Sequence, residues 1–505
     1  MPMAIGLLAL EVVGLGGLTL FGLGAATTAS IVGSTILLGA TVGASLLLSP
    51  TTGSPLSTTE PIAGNPIRKT DVTLRQALPA RFVDIGRVRT GGVLFFLETK
   101  DAAPSTRLFT GVILSCAEIN LVEDVYLNDT SFTALLPLGD FHDQGTAAAT
   151  YDPGGAGIVN PNIWVETGNG TPGDTWPQLI GADFPSRNNI NYAARGLAYA
   201  VMIELQGATP EEHSSWYPNG GWKLTAVIRG AKLPDPRLSV DLGADMEYPN
   251  GAAWVYSANA ALAVLRFLLD KDLGWGHDPD DFDLLSFANA ADACAVVDAA
   301  DPSSRILYAA NGRYVTTDAR KATLDRLLEN CDGRLIEQPS GKAALFVGFF
   351  PSTVVEITTA NILEAQFEAF GDTLDRVGSV RPRIVLESEN WQETDITSVD
   401  VADPDEDQAL KQVDLPLPFC TSEYQARRLA SARLKRLNPA WRGTIVTNLT
   451  GLRAMGERFV RIKFDPLGIN KVFEIGSGAA LNVQNFTVTF DDLVSIEPNH
   501  WNTPT

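Results

Sequence analysis

Leu108–Ser115, LFTGVILS, and Leu197–Leu205, LAYAVMIEL, are the stretches on which the fold class turns. Each is a short, nearly continuous apolar run rich in β-branched and aromatic side chains, too brief for a core helix. Such runs read as buried strands. Gly91–Glu98, GGVLFFLE, has the same character, and Lys223–Arg229, KLTAVIR, alternates in part with the two-residue period of a strand. Between about 129 and 194 the chain changes, with Pro, Gly, Asn and Asp abundant and Trp164 and Trp176 as isolated apolar anchors. This reads as a loop-rich insertion in a β domain that resumes near Arg195.

Helical patterns interleave with further strands. Ser257–Asp270 carries Ala261, Leu265, Phe267, Leu268 and Leu269 on a broad apolar face. Thr317–Cys331 spaces Leu324, Leu327, Leu328 and Cys331 at helical intervals, with Thr317 as the expected N-cap. Ser422–Leu437 opens on Ser422-x-x-Gln425, a capping-box pattern, and buries Ala426, Leu429, Ala430 and Leu434. β-rich runs recur at Ala343–Phe350, Arg381–Leu386, Thr444–Leu449, Phe459–Phe464 and Val483–Phe490. The sum is an α+β chain with helices inserted among antiparallel strands and no repeat of fixed period.

A length of 505 residues suggests several folding units, and 45% hydrophobic content excludes a wholly disordered protein. The net charge of −21 argues against general nucleic-acid binding but suits a channel wall past which DNA must slide. Cys116, Cys294, Cys331 and Cys420 are widely spread with no zinc spacing, and are expected to be separate buried thiols. Charge is nearly absent from the start of the chain: residues 1–59 hold one ionisable side chain, Glu11. Val12–Ser49 is long enough to cross a ~30 Å hydrocarbon layer twice at about 20 residues per pass. Gly39-x-x-x-Gly43 followed by Leu46, Leu47 and Leu48 supplies a helix-packing face. A membrane hairpin and an apolar helical plug both fit residues 1–50. No Lys or Arg precedes the run, so a secretory signal peptide does not fit. Residues 51–66, TTGSPLSTTEPIAGNP, read as an extended linker.

Motifs of reactive chemistry are missing: no G-x-S-x-G, H-E-x-x-H or phosphate-binding G-x-x-x-x-G-K-[ST] occurs. The acidic patch Asp278–Asp283 fails as an EF-hand loop, since Asp283 and Asn289 stand where Gly and Glu are required, and reads as a solvated turn before a helix. No cofactor, metal or catalytic residue is expected. One charge pattern stands out. Arg427, Arg428, Arg433, Lys435 and Arg436 crowd the 422–437 helix, shortly after the acidic run Asp403, Asp405, Glu406 and Asp407. A solvated helix face explains the cations simply; an interface with the acidic run of a neighbouring copy is the sharper alternative.

Several segments in order also resemble a known family. Pro79–Gly92, PARFVDIGRVRTGG, looks like the opening of the first hub domain of the tail tip proteins of long-tailed bacteriophages, the central hub or host-specificity J family. Leu108–Asn128 is similar to the strand–turn–strand with that family's Val-Tyr-Leu-Asn ending, and Arg195–Val201 to its G-x-A-Y strand. Leu224–Arg237 resembles the turn ending in Asp-Pro-Arg. Ser257–Ala261, with Leu268–Asp270 and Gly274-Trp275-Gly276, resembles the family's N-P-A helix, although Ala260 stands where Pro is usual.

The resemblance implies a structural, non-enzymatic virion protein at the tail tip or baseplate of a phage or gene transfer agent. It would be a homotrimeric hub that closes the tail tube and forms the channel for DNA ejection. Implied domains are a first β-barrel-like tube domain over 67–245, an α+β hub domain over 246–350 and a second tube-like domain over 351–505. Implied partners are a distal tail or minor tail ring protein above, the C-terminus of a tape-measure protein, and DNA in transit. Host membrane contact would run through 4–49. The long C-terminal extension of larger members does not follow residue 505, so a separate fibre or receptor-binding protein is expected to contact the host. The alternatives are a bacterial surface protein anchored by an N-terminal hairpin and, lower, a hub-linked cell-wall hydrolase.

Overall fold

The structure, a computed structural model, describes residues 79–501 apart from 102–105, 137–140, 144–162, 188–192, 207–208, 218–221, 242–243, 250, 351–353, 370–375, 403, 405 and 477. The apolar segment with Gly39, Gly43 and Leu46–Leu48, and the linker, lie outside the described residues. Among those described, no helix is long and apolar enough to cross a membrane.

The first β body opens with β1 (Phe82–Ile85) and β2 (Arg87–Thr90). Gly86 between them has φ +64°, and a Cβ there would lie 2.3 Å from the Ala310 carbonyl oxygen, so both conformation and space demand glycine. There follow β3 (Val93–Lys100), β4 (Arg107–Ser115), β5 (Ile119–Leu127), β6 (Thr130–Ser131), α1 (Phe132–Leu135), β7 (Phe141–Asp143), β8 (Ile163–Gly168), α2 (Gln178–Asp183), β9 (Ala198–Leu205), α3 (Pro210–Trp216) and β10 (Leu224–Ala231). A five-stranded sheet, β3-β4-β9-β8-β7, faces a four-stranded sheet, β2-β10-β5-β6. Val88, Leu94, Val112, Ile163, Met202 and Ala226 belong to the core between them. The outer face of the five-stranded sheet is covered too. Phe184, just after α2, meets Phe96 at 5.3 Å and Phe109 at 5.2 Å, while Leu179 and Ile180 of α2 join the same cluster. Every residue of β9 is therefore buried, which explains why its sequence runs apolar without alternating. Part of the loop-rich insertion is regular structure: β8 is registered on β9 from Ile163↔Glu204 to Gly168↔Tyr199. Averaged composition hid a six-residue strand among Gly- and Pro-rich neighbours.

A helical layer follows, with β11 (Leu233–Pro234), β12 (Trp254–Val255), α4 (Ala260–Leu269), α5 (Leu284–Ala295), β13 (Gly312–Val315), α6 (Arg320–Glu329), β14 (Arg334–Glu337) and β15 (Ala343–Phe346). All ten residues of α4 are buried. Asn259 caps it by accepting from Ala261 N at 3.0 Å, and its Nδ2 donates to Ala291 O on α5 at 2.8 Å. The expected Thr317 cap on α6 is not used. Ala319 occupies the N-cap position without a side-chain bond, and Asp318 instead accepts from Arg326 Nη1 at 2.8 Å. β13 pairs antiparallel with β1, tying the first strand of the β body to this layer.

The remaining elements are β16 (Val355–Thr358), β17 (Ile362–Ala369), β18 (Ser379–Leu386), β19 (Gln392–Asp395), β20 (Val399–Asp400), α7 (Glu406–Ala409), β21 (Gln412–Pro416), α8 (Glu423–Leu437), β22 (Trp441–Thr447), β23 (Phe459–Phe464), β24 (Ile469–Ile475), β25 (Ala479–Asn482) and β26 (Thr487–Ile496). Seven strands form one sheet in the order β16-β23-β24-β26-β22-β17, with β25 also on β26. Its edge strands β16 and β17 are consecutive in the chain, joined only by Thr359–Asn361. Phe367 on edge strand β17 lies 5.8 Å from Phe464 on β23 and 5.7 Å from Phe473 on β24. The sheet must roll for these contacts to form, yet β16 and β17 do not pair. The barrel-like expectation is met by a rolled, open sheet here and a two-sheet sandwich in the first β body, with no closed barrel among the described residues. β18, β19, β20 and β21 form a separate sheet carrying α8. At the tip of its β18–β19 hairpin, Trp391 packs with Val385 against Val227 of β10 and Tyr126 of β5.

Candidate functional site

The basic helix α8 was the strongest charge feature of the sequence, and its surroundings give it a different meaning. Ser422 Oγ accepts from Gln425 N at 3.4 Å, as a capping box requires. Gln425 does not return the bond. Its Oε1 accepts from Ala309 N at 3.0 Å, and its Nε2 donates to Ala309 O at 3.0 Å and Asn330 O at 2.8 Å. A residue that looked like a local cap is thus a long-range pin onto the helical layer.

The five cations divide. Arg428, 2% exposed, donates to Leu307 O at 2.7 Å and pairs with Asp298. Arg436 grips both oxygens of Asp332 and reaches Glu474 through Nε at 2.6 Å. Lys435 donates to the Asn499 carbonyl, and burial lowers its pKa. Neither the solvated-face nor the interface reading holds for Arg428 and Arg436. α8 is enclosed along most of its length, and a cation so buried needs partners within its own chain. Arg433 is exposed and Arg427 half-buried. In the acidic run, Asp407 is exposed at α7; Asp403 and Asp405, and the side chain of Glu406, lie outside the described residues.

Arg436 belongs to a buried ionic cluster that joins α8, the helical layer and the rolled sheet. Arg458, fully buried, contacts Asp332 at 3.0 Å and Glu474 at 2.8 Å; Arg334 reaches Glu474 at 3.1 Å; Trp501 Nε1 donates to Asp332 at 2.6 Å. Burial opposes charge on both carboxyls, but the adjacent Arg436 and Arg458 outweigh it and hold both below the usual carboxylate range. Similar pins join the first β body to its neighbours. Arg313 grips Asp84 through two bonds of 2.8 Å and stacks 3.8 Å over Phe82. Arg89 donates to Asn390 in the β18–β19 hairpin at 2.6 Å, and Arg87 bridges Glu123 and Glu387. Local sequence gives no signal for these last pairs, because the partners lie 36 to 301 residues apart.

Groups that could react are mostly shielded. All four cysteines are free. Burial pushes the Cys294 and Cys420 thiols up to about 12, which suppresses the nucleophilic thiolate. His500 is buried and driven down to about 3 by desolvation first and by Arg436 second. Glu204 on β9 is raised to about 7 by burial, with Trp222 N donating to it at 2.8 Å. Within the acidic patch, Asp278 pairs with Lys271 at 3.0 Å and Asp281 with His277 at 3.2 Å. Among the described residues, no group of three or more His, Cys, Asp or Glu could hold a metal ion.

This order of elements, two β bodies around a helical layer, is a fold shared with a virion chain. A chain in the virion of a native gene transfer agent particle superposes with a TM-score of 0.56 at 12% identity, over 94% of this chain and 98% of that one. The protein therefore shares the fold of that virion chain. Weaker likenesses are a tail protein from Neisseria meningitidis MC58 (TM-score 0.24, 16% identity, 36% of this chain and 56% of that one) and the 43 kDa tail protein of prophage MuSo2 from Shewanella oneidensis (TM-score 0.27, 9% identity, 61% and 75%). No family model matches the chain, and no curated protein matches its sequence.

Proposed function

We propose that this protein is a structural component of a phage tail tip or the corresponding part of a gene transfer agent: a homotrimeric hub that closes the tail tube and surrounds the path of ejected DNA. The observation that carries this reading is the end-to-end likeness to a chain of a gene transfer agent virion. The architecture supports it. Three copies supply six β bodies around one axis, and a cyclic ring needs complementary faces rather than a catalytic centre. A net charge of −21 suits a lumen past which DNA must move without adhering. On this reading the partners are a ring protein above, the tape-measure C-terminus and a separate fibre protein, with residues 4–49 available for membrane contact. Arg427 and Arg433 are then the α8 cations open to the Asp403–Asp407 run of the next copy.

Sedimentation equilibrium tests the proposal. The purified chain is expected at three times its 54.0 kDa mass, with Arg427→Glu/Arg433→Glu shifting it toward monomer at low salt. A monomeric wild type, or absence of the chain from purified particles, defeats the proposal.

A further inference from the structure

Although acidic side chains outnumber basic ones 59 to 38, one cleft of about 630 Å³ gathers cations where the first β body meets the helical layer. Arg81, Arg195, Lys232 and Arg266 line it, against Glu118 and Asp272. Both carboxylates are engaged: Glu118 with Lys232 at 2.6 Å, and Asp272 as acceptor from the Tyr248 hydroxyl at 3.1 Å. Arg81 and Arg195 have exposed side chains that pair with no carboxylate among the described residues.

Arg266 distinguishes this cleft from a chance grouping of surface charges. It projects from α4 with 4% of its surface exposed. Nη1 donates to Lys232 O at 2.7 Å, and the guanidinium lies 5.4 Å from the centre of the Trp254 ring. Its Nε is buried with no hydrogen-bond partner among the described residues. Asp270 and Tyr314 favour the charge of Arg266, but the oxygens of Asp270 are engaged by other donors rather than by Nε. Asp270 Oδ1 accepts from Asp272 N and Leu273 N, both at 2.9 Å, and its Oδ2 from the Tyr314 hydroxyl at 2.8 Å. A guanidinium stays charged at any working pH, and a buried donor left unmet carries a penalty that an incoming acceptor relieves.

We propose that this cleft binds a carboxylate-bearing peptide segment of a partner protein, with an acidic side chain set among Arg81, Arg195 and Arg266. Carboxylate, like phosphate, is an anion that guanidinium groups take in fork-to-fork geometry. The apolar part of the lining, Leu197, Pro172 and Pro249, offers contact for a peptide stem. The inference rests on the cleft alone and does not depend on the tail-tip reading.

The test is fluorescence anisotropy of the full chain with a labelled, end-blocked Asp-Glu-Asp-Glu-Asp peptide at low ionic strength. Saturable binding is expected, weakening as salt rises and falling roughly tenfold for Arg81→Glu/Arg195→Glu, two exposed positions whose replacement leaves the core intact. The Asn-Gln-Asn-Gln-Asn analogue is expected to bind about tenfold less tightly than the acidic peptide. Equal binding of the two peptides, no saturable binding, or undiminished binding to a double variant of native circular dichroism would each overturn the proposal. So would competition by inorganic phosphate as strong as by unlabelled acidic peptide, which would reassign the cleft to a phosphate ligand.

Discussion

Replacing Asp332 with Asn removes one negative charge where Arg436, Arg458 and Trp501 all donate to the same carboxyl group. The amide keeps one acceptor oxygen and turns an N–H group toward a guanidinium, so Glu474 alone must balance Arg334, Arg436 and Arg458. Breaking a buried ion pair by removing one partner costs about 3–5 kcal/mol. Gly64–Thr505 is one compact unit, and at about 1 °C per kcal/mol for that length its calorimetric transition should fall by about 3–5 °C at pH 7. The pH dependence is also fixed in sign. Asp332 is held below its unfolded pKa, so its contribution is complete above about pH 4 and fades as pH falls below that. The gap between wild type and variant should narrow by about 1 kcal/mol at pH 3. A transition lowered by less than about 3 °C at pH 7, or a gap that fails to narrow in acid, would show that the cluster is not the clamp its geometry describes.

Gln425→Leu removes three hydrogen bonds to Ala309 and Asn330 and should cost about 2–4 kcal/mol in denaturant unfolding, against almost nothing if Gln425 only completed a cap. Glu204 has the opposite pH sign to Asp332: its pKa is raised by burial, so folding is opposed increasingly from about pH 4.5 up to pH 7. Glu204→Gln should therefore match wild type near pH 4.5 and exceed it by up to about 3 kcal/mol at pH 8 in urea titrations. Trp391→Ala empties the contact with Val227 and Val385 at an expected cost of about 3–5 kcal/mol. Limited proteolysis should then cut within 379–395 faster than in wild type.

Much of the fold was legible because its signals are local. The runs at β4 and β9 and the Ser422 cap depend on residues within a few positions of one another, where propensity and spacing act directly. The candidate site was legible only as composition. Five cations on one helix were plain, but which of them face inward depends on Asp298, Asp332 and Glu474, which lie far along the chain and become neighbours only after the sheets form. Glu204 gives no such local signal: Ile203-Glu204-Leu205 has the apolar–polar–apolar order of a half-exposed strand, and only the sheet packed over the face it shares with Ala200 and Met202 buries it.

The interior ion pairs also bear on why the fold uses charge where apolar side chains would pack. Replacing a buried ion pair by well-packed apolar residues is often neutral or stabilising, so these pairs are poorly explained as sources of stability alone. They lie at junctions: Arg313–Asp84 between β13 and β1, Arg428–Asp298 between α8 and the helical layer, and Arg436–Asp332–Arg458–Glu474 between α8, the helical layer and the rolled sheet. An apolar junction tolerates sliding, because dispersion contacts are interchangeable. A guanidinium gripping two carboxylate oxygens has one register, and displacement leaves charges unpaired in low dielectric. In the trimeric ring proposed above, six β bodies would need fixed angles more than a further margin of stability. Charge at the joints supplies that fixity, and it separates the expected behaviour of Asp332→Asn from that of a matched apolar replacement of the whole cluster: the first should unfold early, the second should stay folded but lose uniform sedimentation.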